Sequence, residues 1–359
     1  MEILGSGMIF CGGRGPAALE SALLGSWKPF GLAESPLVPG GLAHAAVSPE
    51  TLTDKAVLGG PLRRADRFSR MAVLAAADAL AAAGGVAPGE RIGLIVATAF
   101  GPHVTTFKFL DEILDHGDPG VSPTVFSHSV HNVAAAYIGL ATGIRGPVST
   151  VTHFNFAFQH ALVLAAGWLR EQRCERVLVG AVDELGPVLE HACSRKLTPA
   201  RDGRIRPLLG ARQAGIVPGE GAVFFLLGHP QGNGVRMRCL QAGGRAPLPP
   251  ADLTILEADG LTGDESAWPA QPGFCQRALA AYAPIYGSQP AAGSAFSCAI
   301  AAQMLKTGRE FASPVPENPH GLTLGSGLPT GMARHMVSCR FDCAGETGAI
   351  ELNNASITG

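Results

Sequence analysis

An α/β fold is predicted for this 359-residue chain by three features. Short apolar runs rich in β-branched residues alternate with helical patterns, glycine clusters separate the two, and 47% of residues are hydrophobic. A chain of this length can bury roughly 75% of its unfolded surface, and strand–helix alternation is the pattern of a sheet covered by helices.

Taken in order, Gly5-Ser6-Gly7 opens like half a dinucleotide fingerprint, but a third glycine is missing at the needed spacing and no nucleotide site is expected. Residues 66–83 read as a helix with Phe68, Met71, Ala72, Ala75, Ala76 and Ala79 on one side, stopped by Gly84-Gly85. Residues 92–97, 148–152, 176–180 and 222–227 read as buried strands. Residues 105–115 give an amphipathic helix, with Thr106, Phe107, Phe109, Leu110, Ile113 and Leu114 in one arc and Lys108, Asp111, Glu112 and Asp115 in the other. Its apolar face is expected to be covered. Residues 156–169 are apolar almost all round, the mark of a helix buried in the middle of the protein. The Gly- and Pro-rich run from Gly228 is the best boundary between two units, 1–228 and a shorter 229–359.

Charge is scarce and uneven. Asp, Glu, Lys and Arg make up 16% of residues, with a net charge of −2, against about 25% in an average soluble domain; nucleic acid is not an expected partner. Within 119–169 the single formal charge is Arg145, so something large is expected to cover this stretch. The charge-free run 278–305 is broken by Pro284, Gly287, Pro290 and Gly293, and no membrane-spanning helix is expected. Met1-Glu2-Ile3-Leu4 lacks a secretory pattern, which predicts a cytoplasmic protein. Eight cysteines at irregular spacings predict reduced, buried thiols rather than a zinc site.

Four segments carry a family resemblance: Asp66-Arg67-Phe68-Ser69; Val121-Ser122-Pro123 followed by Asn132; Gly143-Ile144-Arg145-Gly146-Pro147; and Pro218-Gly219-Glu220-Gly221-Ala222. In this order and spacing the chain resembles the β-ketoacyl synthases of the thiolase superfamily. The resemblance implies a thiolase-like five-layer αβαβα fold, two related halves and a dimer. The family's nucleophilic Cys falls at Asn155, whose carboxamide has no ionisable nucleophile. The two family histidines fall at Asp259 and Ser288, the lysine at Ala283, and the Gly-Phe-Gly-Gly gate at Asp342-Cys343-Ala344-Gly345.

Loss of all four groups on a retained scaffold is similar to the chain-length factors of type II polyketide synthases, which pair with an active ketosynthase and shape its product tunnel. Many of these carry Gln at the Cys position; Asn155 departs from that. The short chain, distant from aromatic-polyketide sequences, points to a reducing, polyene-forming system. The implied partners are an active ketosynthase and, mainly through it, an acyl carrier protein; no cofactor or metal is implied. Strand 148–152 is the counterpart of the strand that pairs across the family's dimer axis, and an obligate interface is apolar because it resembles a core cut in two. Tunnel length is implied to depend on Thr105, Thr106 and Phe109, for which plain packing stands as the other reading. Phe126 and His128 either reach toward the partner's site or serve the interface alone.

Other readings stay open. Cys298, Cys343 or His153 are candidates for a relocated nucleophile in an independent acyltransferase or hydrolase, and a homodimeric acyl-chain binder is a third possibility. Asp183-Glu184 and Asp264-Glu265 are expected to be solvated or salt-bridged. The arginines of 201–212 form either a solvated loop or a patch for an acidic carrier protein.

Overall fold

The computed structural model describes residues 1–25, 27–87, 89–205, 215–232, 234–261, 278–314, 323–325 and 334–354. Asp264, Glu265 and most of the 201–212 segment lie outside them.

The first part of the chain runs β1 (Glu2–Phe10), β2 (Gly13–Arg14), α1 (Pro16–Leu24), β3 (Leu32–Ser35), β4 (Val38–Ala43), α2 (Arg67–Ala82), β5 (Ile92–Thr98), α3 (His103–His116), α4 (Pro123–His128), α5 (Val133–Thr142), β6 (Val148–Thr152), α6 (Ala157–Arg170), β7 (Arg176–Asp183), α7 (Pro187–Lys196) and β8 (Gly221–Gly228). The second part adds β9 (Val235–Ala242), β10 (Leu253–Leu256), β11 (Ala278–Ala280), α8 (Ala283–Tyr286), α9 (Ala292–Thr307), β12 (His335–Phe341) and β13 (Thr347–Asn354). The four strands read from the sequence are β5, β6, β7 and β8; β7 extends to Asp183.

Strand order explains why some runs are apolar throughout. In the first part it is β1-β8-β7-β5-β6, with β1, β8 and β7 antiparallel in turn and β7, β5 and β6 parallel. Strands β5 and β8 are central and buried along their whole length, as strands covered on both faces must be. The order β9-β13-β12-β10-β11 repeats that scheme in the second part: antiparallel, antiparallel, parallel, parallel. Pairing of Glu2 with Arg236 joins the two into one 11-stranded mixed sheet.

Helices fill the faces. Asp66 caps α2, accepting the Ser69 N–H at 2.7 Å, and Phe68, Met71, Ala72, Ala75, Ala76 and Ala79 are all buried. A β-carbon on Gly5 would fall 2.2 Å from Ala79 O, and one on Gly7 2.2 Å from Ala75 O; the Gly-Ser-Gly of β1 therefore serves close packing against an alanine helix. Helices α6 and α9 share the largest core, with Phe158, Leu162 and Trp168 from one and Phe296, Ile300 and Met304 from the other. Where α2 covers the first part between β1 and β5, β9 and β10 are joined by residues 243–252 without a helix, so the outer layer of the second part is reduced. No helix among the described residues is long and apolar enough to cross a membrane.

Two expectations of burial need correction. In α3 His103 is the buried residue, while Phe107, Leu110 and Leu114 of the apolar arc are exposed, Leu114 by 82%. In α6 one flank is open, Val163 being 52% exposed. Periodicity reports which face seeks cover but not whether the same chain supplies it. Asp183 and Glu184 are also buried rather than solvated.

Candidate functional site

Asn155 lies in the turn between β6 and α6, half-buried. His153 shapes that turn: its Nδ1 accepts the N–H of Asn155 at 3.1 Å and of Phe156 at 3.0 Å. His160, in the first turn of α6, lies tilted against His153 with ring centres 5.1 Å apart. Phe156 anchors the helix start against β13, where a β-carbon on Gly348 would fall 2.5 Å from Phe156 Cδ1.

Behind this turn the structure brings Asp259 and Ser288 together. Ser288 Oγ donates to Asp259 O at 2.8 Å, and both residues are buried. Ala283 begins the short helix α8 and is buried as well. A link to α6 runs through Gln159, whose Nε2 donates to Ser294 Oγ at 2.9 Å in α9. The segment 342–345 is a tight turn between β12 and β13, with Asp342 Oδ1 accepting the N–H of Ala344 at 2.9 Å and of Glu346 at 2.8 Å; Cys343 is exposed there.

Electrostatics around Asp259 are dominated by groups that sequence reasoning missed. Arg340 is wholly buried in β12, and its Nη1 donates to Glu257 Oε2 at 3.1 Å. Burial pushes the Glu257 carboxyl up to about 7, despite the guanidinium beside it, and raises Asp259 for the same reason. Asp183 accepts the N–H groups of Ala291 and Ala292 at 2.7 and 2.8 Å, just before α9, and of Ala99 at 3.2 Å. Its available signal was a lone arginine in the apolar strand Val337-Ser338-Cys339-Arg340-Phe341, opposite acids that follow Leu253-Thr254-Ile255-Leu256. Pairing of Leu256 with Cys339 makes those ends neighbours.

Activated nucleophiles are wanting at these positions. A carboxamide stands at 155, and the Ser288 hydroxyl is spent on a carbonyl. The Cys298 thiol is raised well above its ordinary range by burial, which disfavours the reactive thiolate.

Two of the sequence motifs meet in a second buried centre. Glu220 accepts from Arg67 Nε at 3.0 and 3.1 Å, from Val47 N–H at 2.8 Å and from Leu185 N–H at 3.2 Å. The Asp66-Arg67 and Pro218-Gly219-Glu220 segments are thus held to each other as scaffold.

The expected tunnel residues come together between α3 and α4. Thr106 Oγ1 lies within donating distance of Pro102 O at 3.1 Å and Ser129 O at 3.0 Å; Phe109 packs on Phe126 with ring centres 5.4 Å apart. His128 Nε2 lies 2.7 Å from the Tyr137 hydroxyl. Thr105 is half-buried beside them on α3. Exposed apolar side chains concentrate in this part of the sequence: of 15 exposed large hydrophobic side chains among the described residues, 11 fall between Phe100 and Val163. They include Phe126 at 55% and Val148 at 52%, and β6, which carries Val148, is an edge strand paired to β5 alone.

Comparison with known proteins gives this geometry a lineage. The chain is 30% identical over 181 residues to a protein named granaticin polyketide beta-ketoacyl synthase 1 of Streptomyces violaceoruber, and 29% identical over 211 residues to nodulation protein E of Rhizobium meliloti. These matches cover 46% and 56% of this chain and 43% and 51% of the relatives, so the chain spans about half the length of the curated relatives it matches. Among solved structures, the ishigamide ketosynthase/chain length factor superposes with a TM-score of 0.76 at 18% identity, covering 98% of both chains. A beta-ketoacyl synthase from Burkholderia phymatum gives 0.74 at 16% identity, covering 99% of both. A type II acyl-carrier protein in complex with its ketosynthase bound to the hexaketide gives 0.75 at 14%, covering 98% of both. These likenesses establish the thiolase-like ketosynthase fold. With residues 2–231 also matching the family described as Beta-ketoacyl synthase, N-terminal domain, nearly two thirds of the sequence, the chain belongs to the beta-ketoacyl synthase family.

Proposed function

We propose that this chain is a catalytically inactive, ketosynthase-like chain-length factor that pairs with an active ketosynthase and forms one wall of its product tunnel. The observation that carries this reading is the set of residues at the positions the family resemblance assigns to the reacting groups, Asn155, Asp259, Ser288 and Ala283, none of them a thiol, imidazole or lysine, together with the exposed apolar side chains between Phe100 and Val163. A family scaffold without a nucleophile has use as a partner, and 11 exposed large apolar side chains between Phe100 and Val163 are surface that a partner subunit would cover.

In this reading the edge of β6 pairs with the equivalent strand of the ketosynthase, and α3 and α4 border the tunnel. The growing chain is borne by an acyl carrier protein and by the partner's Cys, in the cytoplasm, in a reducing system that makes polyenes. Phe109 and Phe126, packed at a tilt between α3 and α4, set the tunnel's depth, with Thr105, Thr106 and His128 beside them.

Co-expression with a ketosynthase that has its Cys and both His, followed by native mass measurement, tests the pairing. A stable 1:1 complex is expected; a monomer or homodimer of this chain beside free ketosynthase would contradict it. Turnover of acyl thioesters by the isolated chain would instead favour an independent acyltransferase or hydrolase.

A further inference from the structure

One buried guanidinium faces three buried carboxyl groups in the centre of the molecule. Arg340 Nη1 reaches Glu257 Oε2 at 3.1 Å and Gln289 O at 3.3 Å, and lies 3.8 Å from Asp259 Oδ2. Asp183 is the third carboxyl, acting through space from the end of β7. Among the described residues, Arg340 Nε and Nη2 and Asp259 Oδ2 are buried without a hydrogen-bond partner, while the Ser294 hydroxyl bonds the Glu257 carboxyl. Attraction between charges, more than directed bonding, therefore ties the cluster together. Tyr286 from α8 and Cys298 from α9 are the other titratable groups packed around it, both kept neutral by burial.

We propose that Arg340 is a positioning residue: its charge locks together the end of β10, the loop before α9 and the end of β7 around Asp259 and Ser288. Each segment brings a carboxyl or a carbonyl to the guanidinium, and none of these groups is within reach of water. Removal of the single buried cation leaves the carboxyls uncompensated, whereas neutralising Glu257 and Asp259 along with it leaves only Asp183, which keeps the N–H groups of Ala99, Ala291 and Ala292. The region is thereby closed and rigid. The proposal takes its purpose, a fixed wall behind the tunnel, from the reading of a non-catalytic subunit.

The test compares Arg340→Met with Arg340→Met/Glu257→Gln/Asp259→Asn in the full chain, by urea unfolding at pH 5 and pH 8. In the single variant the two carboxyls stay protonated in the folded chain but ionise in the unfolded chain above about pH 4.5, so rising pH favours unfolding. Relative to wild type, its unfolding constant is expected to rise at least tenfold more at pH 8 than at pH 5, and the triple variant to recover most of the loss at pH 8. A loss equal at both pH values and not recovered by the triple variant marks Arg340 as packing alone and overturns the proposal. If the single variant does not fold, a folded triple variant supports the lock and an unfolded one overturns it. Covalent loading of this chain by a thioester would end the non-catalytic reading while leaving these results intact.

Discussion

Glu220 shows how a residue can carry a motif without touching the chemistry. Its buried carboxylate satisfies two backbone N–H groups and the Arg67 guanidinium, so Glu220→Ala strands all three. A loss on the order of 3 kcal/mol is expected in urea unfolding, with no change in the partner's catalysis per folded complex. Phe109 is the opposite case, a side chain whose removal should be felt in product rather than stability. Phe109→Ala opens space beside Phe126 and is expected to lengthen the products of the reconstituted complex by mass spectrometry; an unchanged distribution would place the tunnel elsewhere. Glu184 adds a pH signature. Buried next to the Asp66 and Glu220 charges, its carboxyl is pushed up to about 8, chiefly by desolvation. The folded chain keeps the proton to that pH and the unfolded chain loses it near 4.5, so this group's contribution to stability falls as pH rises between them. Glu184→Gln removes the dependence, and the variant should gain on wild type between pH 5 and pH 8 by up to about 3 kcal/mol in urea midpoints.

At the scale of elements, local pattern was a good guide to type and a poor one to environment. The alanine face of α2 and its stop at Gly84-Gly85 were legible because both depend on neighbours within one or two turns. The strand Val148–Thr152 was legible in its β-branched residues, and its edge position followed only from the family resemblance, since residue pattern alone does not decide which strand is last. The apolar arc of α3 was read correctly and its cover was not: Leu114 is 82% exposed, with nothing among the described residues lying over it. Asp183 was misplaced for a related reason; its partners, the N–H groups before α9, lie more than 100 residues away. The edge strand makes a prediction of its own. A lysine at Val148 leaves this chain's core untouched, because the side chain is exposed, but charges an edge that would otherwise pair. Val148→Lys should weaken the complex at least tenfold in a dissociation measurement while the unfolding midpoint of this chain stays put.

Across the whole molecule, a repeated strand scheme joins two unequal parts: the first has its outer helix α2, and the second crosses from β9 to β10 without a counterpart. The motif segments fall largely in the first part, where Arg67 meets Glu220, which is why the fold was recoverable from a few short stretches. The Arg340 cluster was not, because its members come from β7, β10, β12 and the loop before α9, and a lone arginine in an apolar strand reveals its acids only once β10 and β12 are paired. Under the proposed function, a kept scaffold, replaced reactive groups and exposed apolar side chains between Phe100 and Val163 belong together, as parts of a chain that a ketosynthase completes. The most direct measurement is to expose the co-expressed pair to a labelled acyl carrier thioester and map the label by peptide mass spectrometry. The account predicts an adduct on the ketosynthase Cys and none on any side chain of this protein; an acyl group found on Cys343, His153 or another residue of this chain would contradict it.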